Sequence, residues 1–145
     1  MIYRGFVGTE FPPFAVEISE EFSDQVTTLI QGPAVPPRIS LPSNWPAFMV
    51  LRGAACLMSV WEKLGVDPLR VRLIREEFAH FREPKPRERL FGRMIVEDLS
   101  DHMEPGHGIE EQVDLLVRFH DAAGELLAEY RCSYRAPVAQ TPRPK

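Results

Sequence analysis

The sequence predicts an α+β fold in which a long antiparallel sheet wraps around one central helix. Three observations support this fold class. The segment from Asn44 to Gly65 is strongly apolar and has the spacing of a helix. Four runs with the alternation of β-strands follow this segment, and one shorter run precedes it. One buried helix followed by consecutive strands is typical of an antiparallel sheet packed on a helix.

Both ends of the predicted helix carry recognisable signals. Ser43 or Asn44 is expected to cap the N-terminus with a side-chain oxygen. Pro46 falls in the first turn, where its missing N–H costs little. Gly65 is expected to be the C′ glycine, the position after a helix where a left-handed backbone is common. We therefore expect one continuous helix over this segment.

Apolar side chains cover most of the circumference of this helix. They recur at helical spacing and also fill the remaining faces, as Phe48, Leu51, Ala55, Met58 and Leu64, and as Met49, Val50, Ala54, Leu57 and Trp61. A helix that is apolar nearly all round is expected to be buried, whereas internal Arg52 and Glu62 make it a poor membrane span. Gly53 costs up to ~1 kcal/mol relative to Ala in a helix interior. We expect it to admit a neighbouring backbone or a ligand rather than to end the helix.

The strands are predicted on both sides of the helix. The first lies in PPFAVEIS, and a short amphipathic helix, EEFSDQVTTLI, and a proline-rich connection from Gln31 to Ser43 lead to the central helix. The later strands are predicted in RVRLIREEFAHFRE, LFGRMIVEDL, QVDLLVRFHD and LLAEYRCSYRA. In the last of these, alternation predicts one packed face, formed by Leu126, Ala128, Tyr130, Cys132 and Tyr134. The stretch DHMEPGHG is expected to be a turn.

Composition is that of a small soluble protein. The 145 residues fit a single domain over residues 1–136, with a flexible proline-rich tail over residues 137–145. A formal net charge of −4 gives no support for binding nucleic acid or an anionic membrane. The two cysteines, Cys56 and Cys132, are expected to be reduced core residues. No secretion signal is visible at the N-terminus, so the expected location is the cytoplasm.

Three stretches resemble the MaoC-like hydratases and dehydratases, particularly their N-terminal-domain type. The segment VRLIREEFAHFREPKPRERLFGRMIVEDL resembles the part of those proteins in which a strand meets a Pro-x-Pro-type turn before the next strand. The opening VGTEFPPFAVEIS and the closing DAAGELLAEYRCSYRA look like their first and last strands. The resemblance covers roughly residues 7–136 and implies the hot-dog fold, in which a curved sheet wraps one long helix.

The resemblance implies a pocket for an acyl thioester carried on coenzyme A or an acyl carrier protein. Such a pocket usually lies at the interface of a homodimer or of a heterodimer with a second hot-dog subunit, and it needs no cofactor and no metal. The start of a central helix presents unpaired N–H groups and a positive dipole end to the thioester oxygen. In this chain the corresponding amides are those near Asn44, Trp45 and Ala47, whereas Pro46 cannot donate.

The sequence departs from this family at the general base. Active MaoC-like hydratases carry Asp and then His, commonly within Asp-x-Asn-Pro-x-His, in the loop before the central helix. The corresponding stretch here, TTLIQGPAVPPRISLPSNWP, contains neither residue. If the chain is active, His80 is the first candidate base, because Phe78 and Arg82 would place it on a groove-facing row, and Asp24 is the second.

The remaining polar residues allow more than one interpretation. A histidine on a strand is more often structural than catalytic. A metal site built from Asp101, His102, Glu104 and His107 matches no zinc signature. Glu62 could act as a thioesterase base but lies toward the wrong end of the helix. The basic residues of RVRLIRE and REPKPRER either meet carrier phosphates or protect a strand edge from aggregation.

Three functions therefore stay open. The chain is either a MaoC-like hydratase or dehydratase with an atypical site, a noncatalytic hot-dog subunit whose partner brings Asp and His, or a hot-dog acyl thioesterase. The first two differ in whether the chain alone turns over an enoyl thioester. The third needs a carboxylate that faces the helix start across a dimer interface.

Overall fold

The structure is a computed structural model that describes residues 2–18, 43–85, 87–106 and 108–138. Its helices and strands are β1 (Phe14–Glu17), α1 (Trp45–Arg52), α2 (Ala54–Leu64), β2 (Arg72–His80), β3 (Arg89–Glu104), β4 (Gly108–His120) and β5 (Leu126–Pro137). Short 3₁₀ turns span Arg4–Phe6 and Pro68–Arg70. The predicted short helix in EEFSDQVTTLI and most of the proline-rich connection lie outside the described residues, and so does Asp24.

The five strands form one antiparallel sheet in the order β1-β3-β4-β5-β2. The strands β3, β4 and β5 follow one another as hairpins, while β1 and β2 come earlier in the chain and form the two edges. The two helices pack against one face of this sheet, which we call the inner face. The predicted α+β class, with a long antiparallel sheet around a central helical segment, is confirmed.

The core lies between the helices and the inner face. Its fully buried side chains come from α1 and α2 and from the three middle strands: Met49, Val60, Leu90, Met94, Leu115, Val117, Phe119 and Ala128. Burial of an aliphatic or aromatic side chain of this size stabilises the fold by about 1.5–3 kcal/mol relative to leaving it exposed. This layer therefore fixes the position of the helices on the sheet.

One line of paired residues crosses the inner face from edge to edge. In register order it consists of Phe14, Gly92, Phe119, Ala128 and His80. We call this line the cross-sheet row. Large and small side chains alternate along it, and the start of α1 lies above its β5–β2 end, because the Trp45 ring contacts those of Phe119 and His80.

Gly53 divides the segment that was predicted as one helix. It is both the C-cap of α1 and the N-cap of α2, with φ −92° and ψ 34°. The expectation that Gly53 does not end a helix is therefore wrong. Gly53 does allow a close approach, as expected, but the group that approaches is a side chain and not a backbone or a ligand. A Cβ at Gly53 would lie 2.6 Å from Cδ2 of Phe14.

The ends of the helical segment match the prediction at one end only. Asn44 is the N-cap, but no side-chain hydrogen bond caps α1, since its φ of −94° and ψ of 18° are not the extended values that capping requires. At the other end Gly65 adopts the predicted left-handed conformation, with φ 73°. The N–H of Val66 donates to the carbonyl of Trp61 at 2.9 Å, which completes the helix end.

Burial around the whole helical segment is not observed. Leu51 is 63% exposed and Met58 is 49% exposed. The sheet covers the helices from one side, so the apolar residues that point away from it remain at the surface. The structure thus leaves an apolar stripe on the helices, defined by Leu51 and Met58.

The β3–β4 hairpin is longer than predicted. The stretch expected to be a turn, DHMEPGHG, is mostly strand, and β3 pairs with β4 as far as Glu104 opposite Gly108. The chain also stays in the sheet beyond the predicted end of β5. Pro137 pairs with Glu110, and the N–H of Val138 donates to the carbonyl of Ile109 at 3.2 Å.

The predicted packed face of β5 is confirmed at Ala128, Tyr130 and Cys132, which are buried. Leu127, predicted on the other face, is also fully buried, because the register with β4 shifts next to it, between Phe119 and His120. Both cysteines are free, as expected.

Candidate acyl-thioester site

A cavity of about 370 Å³ opens beside the start of α1. Its lining consists of Ser43, Trp45, His80, Phe81, Arg82 and Glu83. It therefore joins the N-terminus of the helical segment to the end of the edge strand β2. We call it the His80 cavity.

His80 is the last residue of β2 and belongs to the inner face. Its ring stacks on Phe78, with centroids 6.3 Å apart and planes 6° apart, and lies 6.1 Å from the Trp45 ring. Its Nε2 is 2.5 Å from the carbonyl oxygen of Ser43. Because a carbonyl only accepts hydrogen bonds, Nε2 is the donor in this contact.

The expected row of Phe78, His80 and Arg82 is only partly formed. Phe78 and His80 share a face, as expected, but β2 ends at His80, so Arg82 does not continue the alternation. His80 is therefore placed at the cavity beside an aromatic wall, and Arg82 lines the same cavity from the segment after β2. Its role as a base stays a prediction.

Arg82 lines the His80 cavity, and its guanidinium group binds three carboxylates. Its Nη1 and Nη2 donate to the two oxygens of Glu88 at 3.0 and 2.6 Å, its Nη2 to Asp121 at 3.1 Å and its Nε to Glu125 at 3.3 Å. We call these four residues the Arg82 cluster. The cluster ties the segment after β2 to the β4–β5 turn.

The Arg82 cluster lowers the pKa of two carboxyl groups, those of Glu88 and Asp121. The hydrogen bond from Arg82 is the main reason that the pKa of Glu88 lies below its ordinary value. The pKa of Asp121 is also lowered, first by the backbone N–H of Glu125 and then by Arg82. These shifts belong to a structural ion cluster.

Other arginines of the basic run also have acidic partners. Arg72 pairs with the buried Glu110, and Arg75 lies 3.4 Å from Glu77. For these described residues the structure favours a role in the sheet over contact with carrier phosphates.

The start of α1 offers fewer amide donors than expected. The N–H of Ala47 donates to the carbonyl of Asn44 at 3.1 Å, so it is engaged within the first turn. Pro46 has no N–H. The predicted donors that remain are the backbone amide of Trp45, the first residue of α1, and that of Asn44, the cap residue before it.

The side chain of Trp45 forms the inner wall of the cavity, a role that the sequence did not indicate. It is only 2% exposed, and its ring contacts Phe119 at 5.3 Å as well as His80. The sequence signal for a wall would be a large aromatic in the first turn of a buried helix. Finding its partners requires the strand register.

The other candidate groups lie elsewhere. Glu62 is exposed near the end of α2, and Glu76 accepts a hydrogen bond from the hydroxyl of Tyr130 at 2.6 Å. Asp101 pairs with Arg4 at 2.7 Å, and Nε2 of His102 lies 3.0 Å from the hydroxyl of Ser100. Within the described ranges, no three His, Cys, Asp or Glu side chains are grouped so that they could hold a metal ion.

His120 lines a second cavity, of about 530 Å³, on the opposite face of the sheet. Arg93 and Arg118 also line it. They are directly opposite each other in the β3–β4 register, and each has a carboxylate nearby, Glu10 at 3.8 Å and Glu129 at 2.9 Å. This cavity is thus lined by charges of both signs.

In the part of the chain that the structure describes, no helix has both the length and the apolarity needed to cross a membrane.

Comparison with known proteins gives a match in structure only. No family model matches the chain, and no curated protein matches its sequence. Among solved structures, the chain is similar to the truncated HadBC (3R-hydroxyacyl-ACP dehydratase) complex of Mycobacterium tuberculosis, with TM-score 0.68 and 12% identity over 90% of this chain and 97% of that one.

Two further matches show that the fold is shared by proteins of different activity. The (R)-hydratase of A. caviae involved in PHA biosynthesis has TM-score 0.58 and 12% identity over 90% of this chain and 96% of that one. TTHA0967 of Thermus thermophilus, a thioesterase superfamily member, has TM-score 0.56 and 16% identity over 90% and 83%. This chain therefore has the hot-dog fold, which both kinds of protein use.

Proposed function

We propose that this chain binds an acyl thioester, carried on coenzyme A or an acyl carrier protein, as a hot-dog protein related to MaoC-like 3-hydroxyacyl dehydratases and enoyl hydratases. One observation carries the proposal: the His80 cavity opens beside the start of the central helical segment, on the inner face of the sheet. The positive end of a helix dipole lies there, where a thioester oxygen would carry developing negative charge.

The thioester carbonyl points toward the amides near Asn44 and Trp45 in this proposal. Ala47 contributes less than its position suggests, because its N–H already donates to Asn44. A single well-placed backbone donor still polarises a carbonyl, but removing one donor from such a site typically costs about 10²–10³ in rate. The arrangement therefore supports binding better than it supports turnover.

We further propose that the chain is a noncatalytic subunit whose partner supplies the acid/base pair. The stretch from Thr27 to Asn44 has neither Asp nor His. In the described hydrogen bonds, Nε2 of His80 meets the carbonyl of Ser43, and no described carboxylate orients the imidazole. A positioned general acid or base typically contributes 10²–10⁴-fold in rate, so activity of the isolated chain should be small.

The partner in this proposal is a second hot-dog subunit, either a copy of this chain or a different protein. The HadBC structure is described as a complex, which supports the second possibility. The apolar stripe of Leu51 and Met58 gives the helices an uncovered side that a partner would bury.

A binding titration tests the first part of the proposal. Thermal unfolding is followed with acetyl-, butyryl- and octanoyl-coenzyme A, and a ligand at 100 times its Kd should stabilise the protein by about 2.7 kcal/mol. Replacement of His80 by Ala should weaken binding. His102→Ala, which removes a histidine outside the cavity, is the matched control. No shift with any thioester would overturn the proposal.

Turnover tests the second part. Crotonyl-coenzyme A hydration is measured on the purified chain alone, and again with a hot-dog hydratase subunit encoded beside it. Turnover only with the partner is the expected result. Strong hydration by the chain alone, unchanged in His80→Ala and Asp24→Ala, would contradict both the noncatalytic role and the candidate bases. Release of free coenzyme A would instead identify a thioesterase, the alternative that the fold also accommodates.

A further inference from the structure

We infer that the His80 cavity accepts only short acyl groups, because the space that would continue it beneath the helices is filled by the rings of Trp45 and Phe14. This inference rests on the proposed function, since it concerns the thioester's acyl group. It names the substrate class as short-chain acyl thioesters and names the two side chains that set the limit.

The path in question is the cross-sheet row. Starting at His80 in the cavity, the row passes Ala128, Phe119 and Gly92 and ends at Phe14 on the edge strand β1. Ala128 and Gly92 have the smallest side chains in the row, so they leave room between the sheet and the helices. An acyl chain that grows inward from the cavity would use this room.

Trp45 fills the room above Ala128. Its ring contacts the rings of His80, at 6.1 Å, and Phe119, at 5.3 Å. These two residues are the neighbours of Ala128 on either side in the row. The indole therefore spans Ala128 and closes the inner end of the cavity.

Phe14 fills the room above Gly92. A Cβ at Gly92 would lie 2.3 Å from Cζ of Phe14, and a Cβ at Gly53 would lie 2.6 Å from its Cδ2. The ring is thus held between a glycine of the sheet and the glycine between the two helices. It also meets the edge of Phe119, at 6.1 Å between centroids.

A growing acyl chain meets the two rings in a fixed order. Trp45 comes first and Phe14 lies behind it, on the far side of Phe119. The rings are close-packed, so a chain that passes Trp45 must displace a buried indole. While a chain fits the cavity, each added methylene should raise affinity about fourfold, and the rise should stop when the chain reaches Trp45.

The test measures affinity for saturated acyl-coenzyme A thioesters from acetyl to decanoyl, by isothermal titration. For the wild type we expect about a fourfold gain per methylene up to roughly butyryl and no gain beyond it. Trp45→Leu should extend the gain to longer chains, and Trp45→Leu with Phe14→Ala should extend it further. Trp61→Leu is the matched control, because Trp61 is as buried as Trp45 but packs on Tyr134.

Affinity that keeps rising through decanoyl in the wild type would overturn the inference. The same chain-length limit in the wild type and in folded Trp45→Leu protein would overturn it as well. If Trp45→Leu does not fold, as judged by circular dichroism, Trp45→Phe takes its place with a smaller expected extension. A limit that moves equally in Trp61→Leu would show that loosening the core, not opening this path, is responsible.

Benzene binding separates this inference from the proposed function. Benzene should stabilise the double variant saturably but leave the wild type unchanged, because a dry apolar space opens only when the rings are removed. If no variant binds acyl-coenzyme A but the double variant binds benzene, the proposed thioester binding is wrong, whereas the two rings do fill an apolar space. No benzene effect in the double variant would show that the two rings do not fill a usable space.

Discussion

Cys132 is a buried thiol whose environment suppresses its reactivity. Burial is the main cause that raises its pKa to about 12. At pH 8 this leaves a thiolate fraction of about 10⁻⁴, and the thiolate is the reactive form. Burial also raises the pKa of Cys56, but this residue is only half-buried.

We predict that iodoacetamide at pH 8 labels Cys56 well before Cys132 in the native protein. Peptide mass spectrometry over a time course measures the two rates. Native Cys56→Ser protein should then stay almost unlabelled until urea is added. Equal labelling of both cysteines without denaturant would contradict the burial of Cys132.

Gly53 should behave opposite to an ordinary helical glycine. Elsewhere in a helix, Gly→Ala stabilises by up to about 1 kcal/mol. Here the new methyl would press on the Phe14 ring, which also packs against Gly92. We predict that Gly53→Ala destabilises the protein by about 1–3 kcal/mol, measured by urea unfolding.

A double-mutant cycle isolates this cause. In a Phe14→Ala background the same Gly53→Ala change should be neutral or stabilising, since the methyl then meets open space. An equal loss of stability in both backgrounds would trace the effect to the backbone of the α1–α2 junction instead.

At the level of elements, the Arg82 cluster joins the segment after β2 to the β4–β5 turn. Glu88 and Asp121 both have lowered pKa values in the folded protein. A carboxyl group whose pKa is lower when folded stabilises the fold above its ordinary pKa, and this contribution is lost as pH falls through the folded value. The ordinary values here are 4.5 and 3.8.

We predict that Arg82→Gln lowers the urea midpoint at pH 7 and that the difference from wild type shrinks as pH falls below about 4. The Asp121 contribution should persist in part, because its main cause is the N–H of Glu125. Arg75→Gln serves as the control, since the exposed Arg75–Glu77 pair should change stability by less than about 0.5 kcal/mol. A difference that is constant from pH 7 to pH 3 would contradict the ionic origin.

The elements were predictable to the extent that their signals are local. Alternation located all five strands, and Gly65 marked the end of the helical segment. The close approach of Phe14 to Gly53 joins residues that lie far apart in the sequence, so no helical pattern reveals it. The extension of β3 and β4 into a stretch rich in turn residues depends on cross-strand pairing, which overrides local propensity.

The candidate site was only partly predictable, because part of it depends on contacts between strands rather than on local signals. The position of His80 at the groove followed from alternation along one strand. The role of the Trp45 side chain as a wall follows from the pairing of His80 with Ala128 and of Ala128 with Phe119. The pattern of residues along the sequence does not indicate which residues of neighbouring strands are paired. The loss of the Ala47 donor likewise depends on the conformation of Asn44.

At the scale of the whole molecule, the uncovered side of the helices predicts self-association or a partner. Leu51 and Met58 are both well exposed on the helices. We predict at least a dimer by light scattering at micromolar concentration. Leu51→Glu with Met58→Glu should lower the measured mass, whereas Ile109→Glu, an exposed apolar residue in the β3–β4 hairpin, should not. A wild-type monomer at all concentrations would contradict a self-associating chain and leave the heterodimer to be tested by co-purification.

The strand order also determines when the chain can fold as it leaves the ribosome. Both edge strands are synthesised before the strands they pair with: β1 pairs with the later β3, and β2 pairs with β5, the last of the described strands. The helices emerge early too, while the middle strands that bury them come later. At about 5–20 residues per second, the apolar helical segment spends several seconds without its sheet. A nascent chain that stops before Leu126 should therefore bind chaperones, and one that includes β5 outside the ribosome should fold.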